Sequence, residues 1–280
     1  MSTSKNFNKV IVILGPTGSG KTNVAIDIAK EIGGEIISAD SRAIYRGMDI
    51  GTAKPSREEQ AEVPHFGIDL VEPGERFTVA DWKRYAEEKI EEIRKRGHIP
   101  MIVGGTGLYI DALIYGYRFG ATEQSLPPRS SLPSSRGSDA NSRQQPPKCV
   151  KDCSVAPDRQ SISDDYLLIG VKTETDELRK RLMERVNKLF VQELYDETNK
   201  LVVQYGWGNQ AMKSNIYQFA WKFMQGEVDL ETAKKLCFYD DWHLAKRQMT
   251  WFKRTPQIMW LPLDKIKPYV LKCIQNEQRK

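Results

Sequence analysis

Gly15, Pro16, Thr17, Gly18, Ser19, Gly20, Lys21 and Thr22 read GPTGSGKT and fit the spacing G-x-x-x-x-G-K-[ST]. Glycines let successive backbone N–H groups turn toward one small volume. A helix starting at the end of the loop aims the positive end of its dipole at the same place. The result is a cradle for a phosphate group, with Lys21 adding a mobile positive charge and Thr22 a hydroxyl suited to Mg²⁺. The spacing identifies phosphate but not the reaction. A nucleotide hydrolase, a small-molecule kinase and a transferase acting on a diphosphate ester all use such a loop. No apolar run ends in the Asp-Glu pair expected of a water-activating hydrolase. Asp40, in the text SAD, supplies a single carboxylate: an outer Mg²⁺ ligand, a general base taking a proton from an acceptor, or a turn-capping aspartate. Thr106, in GGTG, either bonds a substrate group or caps the helix that follows.

Strands and helices must hold these residues. Residues 9–14 (KVIVIL) form a short β-branched apolar run that suits a strand buried on both faces. Helical spacing runs from Lys21 to Ile32 and stops at Gly33-Gly34. A second strand covers 35–38, and ADSRAIYRGMDIGTAKP is polar, Gly-containing and irregular, a loop at a strand's C-terminal end. FTVADWKRYAEEKIEEIRKRG is a helix capped by Thr78, with Asp81 at the capping-box offset and Gly97 as its stop. HIPMIVGG is a third buried strand, and TGLYIDALIYG a helix. The alternation predicts an α/β fold, a P-loop NTPase-like parallel sheet flanked by helices, with a helical C-terminal part. Ligands in such sheets bind beyond the C-terminal ends of the strands, where GPTGSGKT, SADS and GGTG all fall.

The alternation fails over 119–164, rich in Ser, Pro, Arg and Gln and without apolar periodicity, which by composition is a disordered or linker segment. Order returns with the strand DDYLLIGVK, the strongly helical ETDELRKRLMERVNKLFVQELYDETNKLVVQYG, helices over SNIYQFAWKFMQG and DLETAKKLCFYDDWHLAKRQMTWFKR, and a last short strand in IMWLPL. Three parts follow: a core over 1–118, the segment 119–164, and the rest of the core with its C-terminal helices over 165–280.

The chain has 280 residues, 40% of them apolar, enough for one large domain or a core with an appendage. No apolar run approaches the roughly 20 residues that cross a bilayer, and MSTSKNFNK lacks the apolar centre of a signal peptide. A cytoplasmic protein with no membrane association is expected. The net charge of +5 suits RNA or a phosphate-bearing ligand without requiring either. Four cysteines and three histidines are too scattered for a metal centre. Cys149 and Cys153, in CVKDC, lack a second ligand pair for zinc and read as free thiols.

Together, GPTGSGKT, SADSRAIYRGMDIGTAKP, VPHFGIDL, FTVADW, IPMIVGGTGLY and AKRQMTWFKR resemble the successive signatures of tRNA dimethylallyltransferases, also called tRNA isopentenyltransferases. They occur in that family's order and cover most of residues 9–118 and 165–262. The resemblance implies transfer of a dimethylallyl group from its diphosphate to the exocyclic amine of the adenosine beside the anticodon, with tRNA, held by its anticodon arm, and dimethylallyl diphosphate as partners and Mg²⁺ as cofactor. Residues 15–22 would then hold the diphosphate, with Thr22 toward the metal. Arg185 matches an arginine that reaches the same diphosphate. Asp40 matches the base that takes the amine proton, and Thr106 the threonine beside the reacting centre. Ser41, Arg42 and Ala43 continue the tRNA-contact loop, while Arg247 and Gln248 lie on the helix flanking the reaction channel. Lys246, Lys253 and Arg254 on or beside that helix would meet RNA phosphates, and Trp251 and Phe252 would be core. A monomer is the working expectation.

The sequence departs from the family twice. Where the family has a longer helical insertion gripping the anticodon arm, residues 119–164 carry Ser/Pro/Arg text that reads as a disordered remnant, left by a changed reading frame, a deletion or erosion. Ile216 also stands before Tyr217 where the family has Gly-Tyr, costly if the backbone there needs positive φ or close approach. Two alternatives stay beside the tRNA enzyme: an adenylate isopentenyltransferase acting on free AMP, ADP or ATP, which needs no RNA-gripping part, and an inactive homologue that still binds diphosphate. A generic P-loop kinase leaves the series from SADS to AKRQ unexplained.

Overall fold

The computed structural model describes residues 7–119, 162–209, 211–212 and 216–279. Nearly all of the segment 119–164, with Cys149 and Cys153, lies outside the described residues. The six described strands form one parallel sheet in the order β3-β2-β4-β1-β5-β6. They are β1 (Val10–Leu14), β2 (Gly34–Ala39), β3 (His65–Phe66), β4 (Ile99–Gly104), β5 (Tyr166–Val171) and β6 (Met259–Leu261). β1 lies between β4 and β5 and is buried along its whole length, as its unbroken apolar text requires. The strand order turns at β1, so the loops leaving β1, β2 and β4 open onto one crevice.

Between β1 and β2 runs α1 (Lys21–Ile32), closed by Gly33 at φ 66°, which matches the sequence-predicted bounds residue for residue. With α9 (Leu263–Gln278), α1 covers one sheet face, where Ala25, Ile28 and Ala29 pack with Ile266, Val270 and Ile274. The other face is covered by α3 (Val79–Lys95) and α4 (Gly107–Ile114), through Trp82, Ile93, Tyr109 and Ile110. The expected capping box of α3 is complete: the Thr78 hydroxyl accepts from the Asp81 N–H, and the Asp81 carboxylate accepts from the Thr78 N–H.

A third core is built mainly from helices. α5 (Thr175–Leu189), α6 (Gln192–Tyr205), α7 (Ile216–Met224) and α8 (Leu230–Phe252) bury Val186, Leu194, Leu201, Tyr217 and Ala233 against one another. Met48, from the long loop after β2, inserts there with no exposed surface. Burying a side chain of that size stabilises by about 1.5–3 kcal/mol.

The single helical stretch expected over α5 and α6 is in fact two helices. Phe190 leaves the helical region at ψ 71°, Val191 is extended, and the buried Phe190 ring anchors the bend in the helical core. α2 (Arg57–Glu62), β3 and α9 were not expected. α2 and β3 span six and two residues, too short for a periodicity to register, although α2 carries a capping box at Ser56 and Glu59. Ile216 is the first residue of α7. It is buried at 2% exposure in the helical core.

Candidate active site

A cleft of about 460 Å³ opens at the C-terminal ends of β1, β2 and β4. Its lining includes Thr17, Lys21 and Thr22 from the phosphate loop, Asp40, Ser41, Arg42 and Ala43 after β2, Thr106 after β4, Arg185 from α5, and Arg247 and Gln248 from α8. Eleven residues predicted from sequence therefore meet in one place, carried by five separate stretches of chain. Within the loop, Gly18 and Gly20 hold φ of 75° and 83°, the left-handed backbone a phosphate cradle needs. Gly18 and Gly20 face a neighbouring cleft with Arg181. Pro16 faces another, lined by Trp242, Lys246, Met249 and Trp260. Ser19 is fully buried, and its Oγ has no hydrogen-bond partner among the described residues.

Lys21 Nζ donates to Pro16 O at 3.2 Å, a contact within its own loop. Burial lowers its pKa to about 8, opposed by the Asp40 charge and reinforced by Arg185. It is cationic at neutral pH and strongly disposed toward an anion. Arg185 Nη1 donates to Thr17 Oγ1 at 3.0 Å, and its Nε lies 3.7 Å from Asp241 Oδ2, which is buried. Burial holds the Asp241 carboxyl above the usual carboxylate range, against the pull of Arg185. Arg181, one turn before Arg185 on α5, donates from Nη1 to Ser19 O at 3.2 Å. Two guanidinium groups thus brace the rim of the loop.

Gln248 joins the two sides of the cleft. Its Oε1 accepts from the Thr17 N–H at 2.8 Å and its Nε2 donates to Gly105 O at 3.0 Å. A Cβ on Gly105 would stand 2.4 Å from that Nε2, so the glycine makes room for the amide. Across the cleft, Asp40 Oδ1 accepts from the Arg42 N–H at 2.8 Å, so the turn-capping contact is made by a carboxylate that also lines the cleft. Thr106 makes no side-chain cap on α4; its Oγ1 accepts from the Ser41 N–H at 3.0 Å and approaches Ser41 Oγ at 3.3 Å. It ties the β4 turn to the β2 turn.

Several wall residues had no individual sequence-level reading: Thr52, Ala53, Lys54 and Pro55 from the DIGTAKP text, His65 and Leu244. Trp251 lines the cleft rather than being plain core, donating from Nε1 to Asp111 Oδ2 at 2.9 Å, whereas Phe252 is buried. Arg181 had a signal in its i, i+4 spacing from Arg185. The DIGTAKP text carried the family resemblance and read as a loop at the ligand-binding edge of the sheet, but not the shape of this wall, which distant residues make.

A parallel sheet whose central strand runs into a phosphate loop, with a carboxylate and two cations on the same cleft, defines a P-loop α/β enzyme of the group-transfer kind. The comparisons then carry the assignment to a family. The sequence model described as IPP transferase matches residues 43–145 and 140–255, and that described as isopentenyl transferase matches 8–66. The tRNA dimethylallyltransferase of Acetivibrio thermocellus is 35% identical, over 92% of this chain and 93% of its own length. The tRNA dimethylallyltransferase 1 of Citrifermentans bemidjiense is 37% identical, over 90% and 92%. The crystal structure of a tRNA isopentenylpyrophosphate transferase from Staphylococcus epidermidis superposes with a TM-score of 0.74 at 30% identity, covering 96% of this chain and 98% of that one. The chain belongs to the IPP transferase family.

Proposed function

We propose that the chain transfers a dimethylallyl group from dimethylallyl diphosphate to the exocyclic amine of the adenosine beside the anticodon of tRNA, releasing diphosphate. The observation that carries this reading is the placement of Asp40 on the same cleft as Lys21 and Arg185: a proton acceptor on one side, a cationic anion holder on the other. The loop N–H groups other than at Pro16, which has none, and Thr17, which donates to Gln248, hold the diphosphate together with Lys21 and Arg185 and stabilise the charge it gains as the allylic carbon–oxygen bond breaks. The exocyclic nitrogen attacks the same carbon, and its proton passes to Asp40 as the carbon–nitrogen bond forms. Thr106, through Ser41, sets the turn that carries Asp40, while Arg42, Arg247 and Gln248 line the approach of the acceptor.

Thr22 and Asp40 line this cleft, and among the described residues no group of three or more His, Cys, Asp or Glu could hold a metal by itself. That donor set fits Mg²⁺, a hard ion that takes most of its oxygen ligands from phosphate and water. Bound at Thr22, Mg²⁺ would offset negative charge on the diphosphate. The protein is proposed to act as a monomer in the cytoplasm; no described helix is long and apolar enough to cross a membrane.

Incubation with dimethylallyl diphosphate and either tRNA or AMP, with and without Mg²⁺, followed by mass spectrometry of the nucleosides, tests the reading. Prenylated adenosine from tRNA is the expected result. Product on AMP alone would replace tRNA with a free nucleotide, and retained diphosphate binding without product on either would leave a non-catalytic homologue.

A further inference from the structure

The loop of residues 49–55 that walls the cleft beside the phosphate cradle is held from outside the sheet. Glu197, on α6, points its carboxylate into three successive backbone N–H groups. Its Oε2 accepts from Asp49 and Ile50 at 3.0 Å each, and its Oε1 from Gly51 at 3.1 Å. Oε1 also accepts from the Tyr217 hydroxyl at 2.6 Å. A run of convergent backbone N–H groups is an anion-binding concavity, filled here by a side chain of the protein itself. All four partners are donors, so only an acceptor-only group satisfies them together; an amide in either orientation would turn an NH₂ toward one pair.

The Tyr217 ring is buried against Gly51, where a Cβ would come within 2.3 Å of the ring. Just beyond, Ala53 is held at φ 51°, a conformation that persists in a non-glycine residue only when its surroundings impose it. Lys54, its side chain 2% exposed, donates from Nζ to Tyr45 O at 2.6 Å, Asp49 Oδ1 at 2.7 Å and Asp69 Oδ1 at 2.5 Å. The Tyr45 N–H in turn bonds Arg42 O, so the chain of contacts ends on the turn that carries Asp40.

We infer that Glu197 and Tyr217 are positioning residues: from the helical part they set residues 49–55 as a wall of the cleft and, through Lys54 and Tyr45, the turn that meets the acceptor. The inference rests on the proposed prenyl transfer for its catalytic consequence, but not for its structural one. The phosphate loop makes none of these hydrogen bonds, although Ala53, Lys54 and Pro55 share a neighbouring cleft with Gly18, Gly20, Lys21 and Thr22, so acceptor binding responds to their loss more strongly than donor binding.

The test compares Glu197→Gln and Tyr217→Phe with the wild type. In Glu197→Gln the KM for tRNA rises about tenfold or more, as expected for a displaced binding wall. The KM for dimethylallyl diphosphate and the Kd for inorganic diphosphate change by no more than about threefold, because the phosphate loop keeps its own backbone bonds although it shares a cleft with residues 53–55. Amide exchange over 49–55 accelerates while that over 15–22 does not. Tyr217→Phe keeps the ring and loses one donor, giving a tRNA KM effect of about threefold, and carries the same test if Glu197→Gln does not fold. Wild-type KM and exchange in both variants would overturn the inference, as would diphosphate binding lost in proportion to tRNA binding. If the wild type makes no product, the proposed reaction fails first, and exchange over 49–55 with and without tRNA then decides: unchanged exchange in folded variants overturns the inference, and acceleration with loss of tRNA-dependent protection upholds it.

Discussion

The phosphate loop and the loop after β2 line one cleft but are built in different ways. Residues 15–22 carry their geometry within eight consecutive residues, between a strand and a helix that the local text specifies; Arg181, Arg185 and Gln248 only brace the result. Residues 49–55 have no regular structure and borrow their shape. Glu197 reaches Asp49, Ile50 and Gly51 across 148, 147 and 146 residues of sequence, Met48 is buried among the C-terminal helices, and Lys54 gathers three acceptors. A self-contained loop tolerates change in the rest of the molecule, while a borrowed one transmits it. Donor binding and acceptor binding should therefore separate under mutation.

The sharpest break is Asp40→Ala. Transfer should fall by about 10²–10⁴-fold, the usual worth of a placed proton acceptor. Binding of inorganic diphosphate, followed by calorimetry, should hold; loss of both together would erase the distinction between the two sides. Gln248→Ala should do the opposite and injure both at once, because its amide bonds Thr17 on one side and Gly105 on the other. Each orphaned group costs about 1–3 kcal/mol where water cannot replace the amide. Diphosphate affinity and turnover should drop in parallel, a result steady-state kinetics beside titration would show.

A pH series probes the cradle alone. Lys21 loses its charge above about pH 8 in the folded protein, against the usual lysine value of 10.5. Diphosphate affinity measured by calorimetry should weaken as pH rises through 8, by at most about tenfold per unit. Between the two values the unfolded chain holds more protons than the folded one, so this group's contribution to stability rises with pH while affinity falls. The smallest effect belongs to Thr78→Ala, which removes the N-terminal cap of α3. It should lower unfolding stability by about 1 kcal/mol, read by urea titration, and leave transfer unchanged.

What could be read from sequence follows the same divide. The bounds of α1, the capping box of α3 and the burial of β1 are short-range consequences of spacing, cap chemistry and apolar runs, and they appear as expected. The bend at Phe190 escaped because both helices carry the same apolar stripe, and the break arises where a buried ring fixes a turn. Asp40 was visible as a carboxylate after a strand, but its double engagement, holding the Arg42 N–H while facing the cleft, was not. Glu197 had no marker: a glutamate one turn along an amphipathic helix looks like a solvated charge until a loop is folded over it.

By itself the sequence determined a parallel α/β sheet, a phosphate cradle at the end of its first strand, and the set of residues that resemble a prenyl-transferring family. Periodicity, caps and glycine spacing act within a few residues, so they survive reading in one dimension. The tertiary structure alone decided that Gln248 stitches donor to acceptor side, that Lys21 sits desolvated between Asp40 and Arg185, and that a helix carboxylate shapes a wall of the cleft. Those features depend on which distant groups are brought within hydrogen-bond reach and how far water is excluded from them, and both are properties of the packed chain.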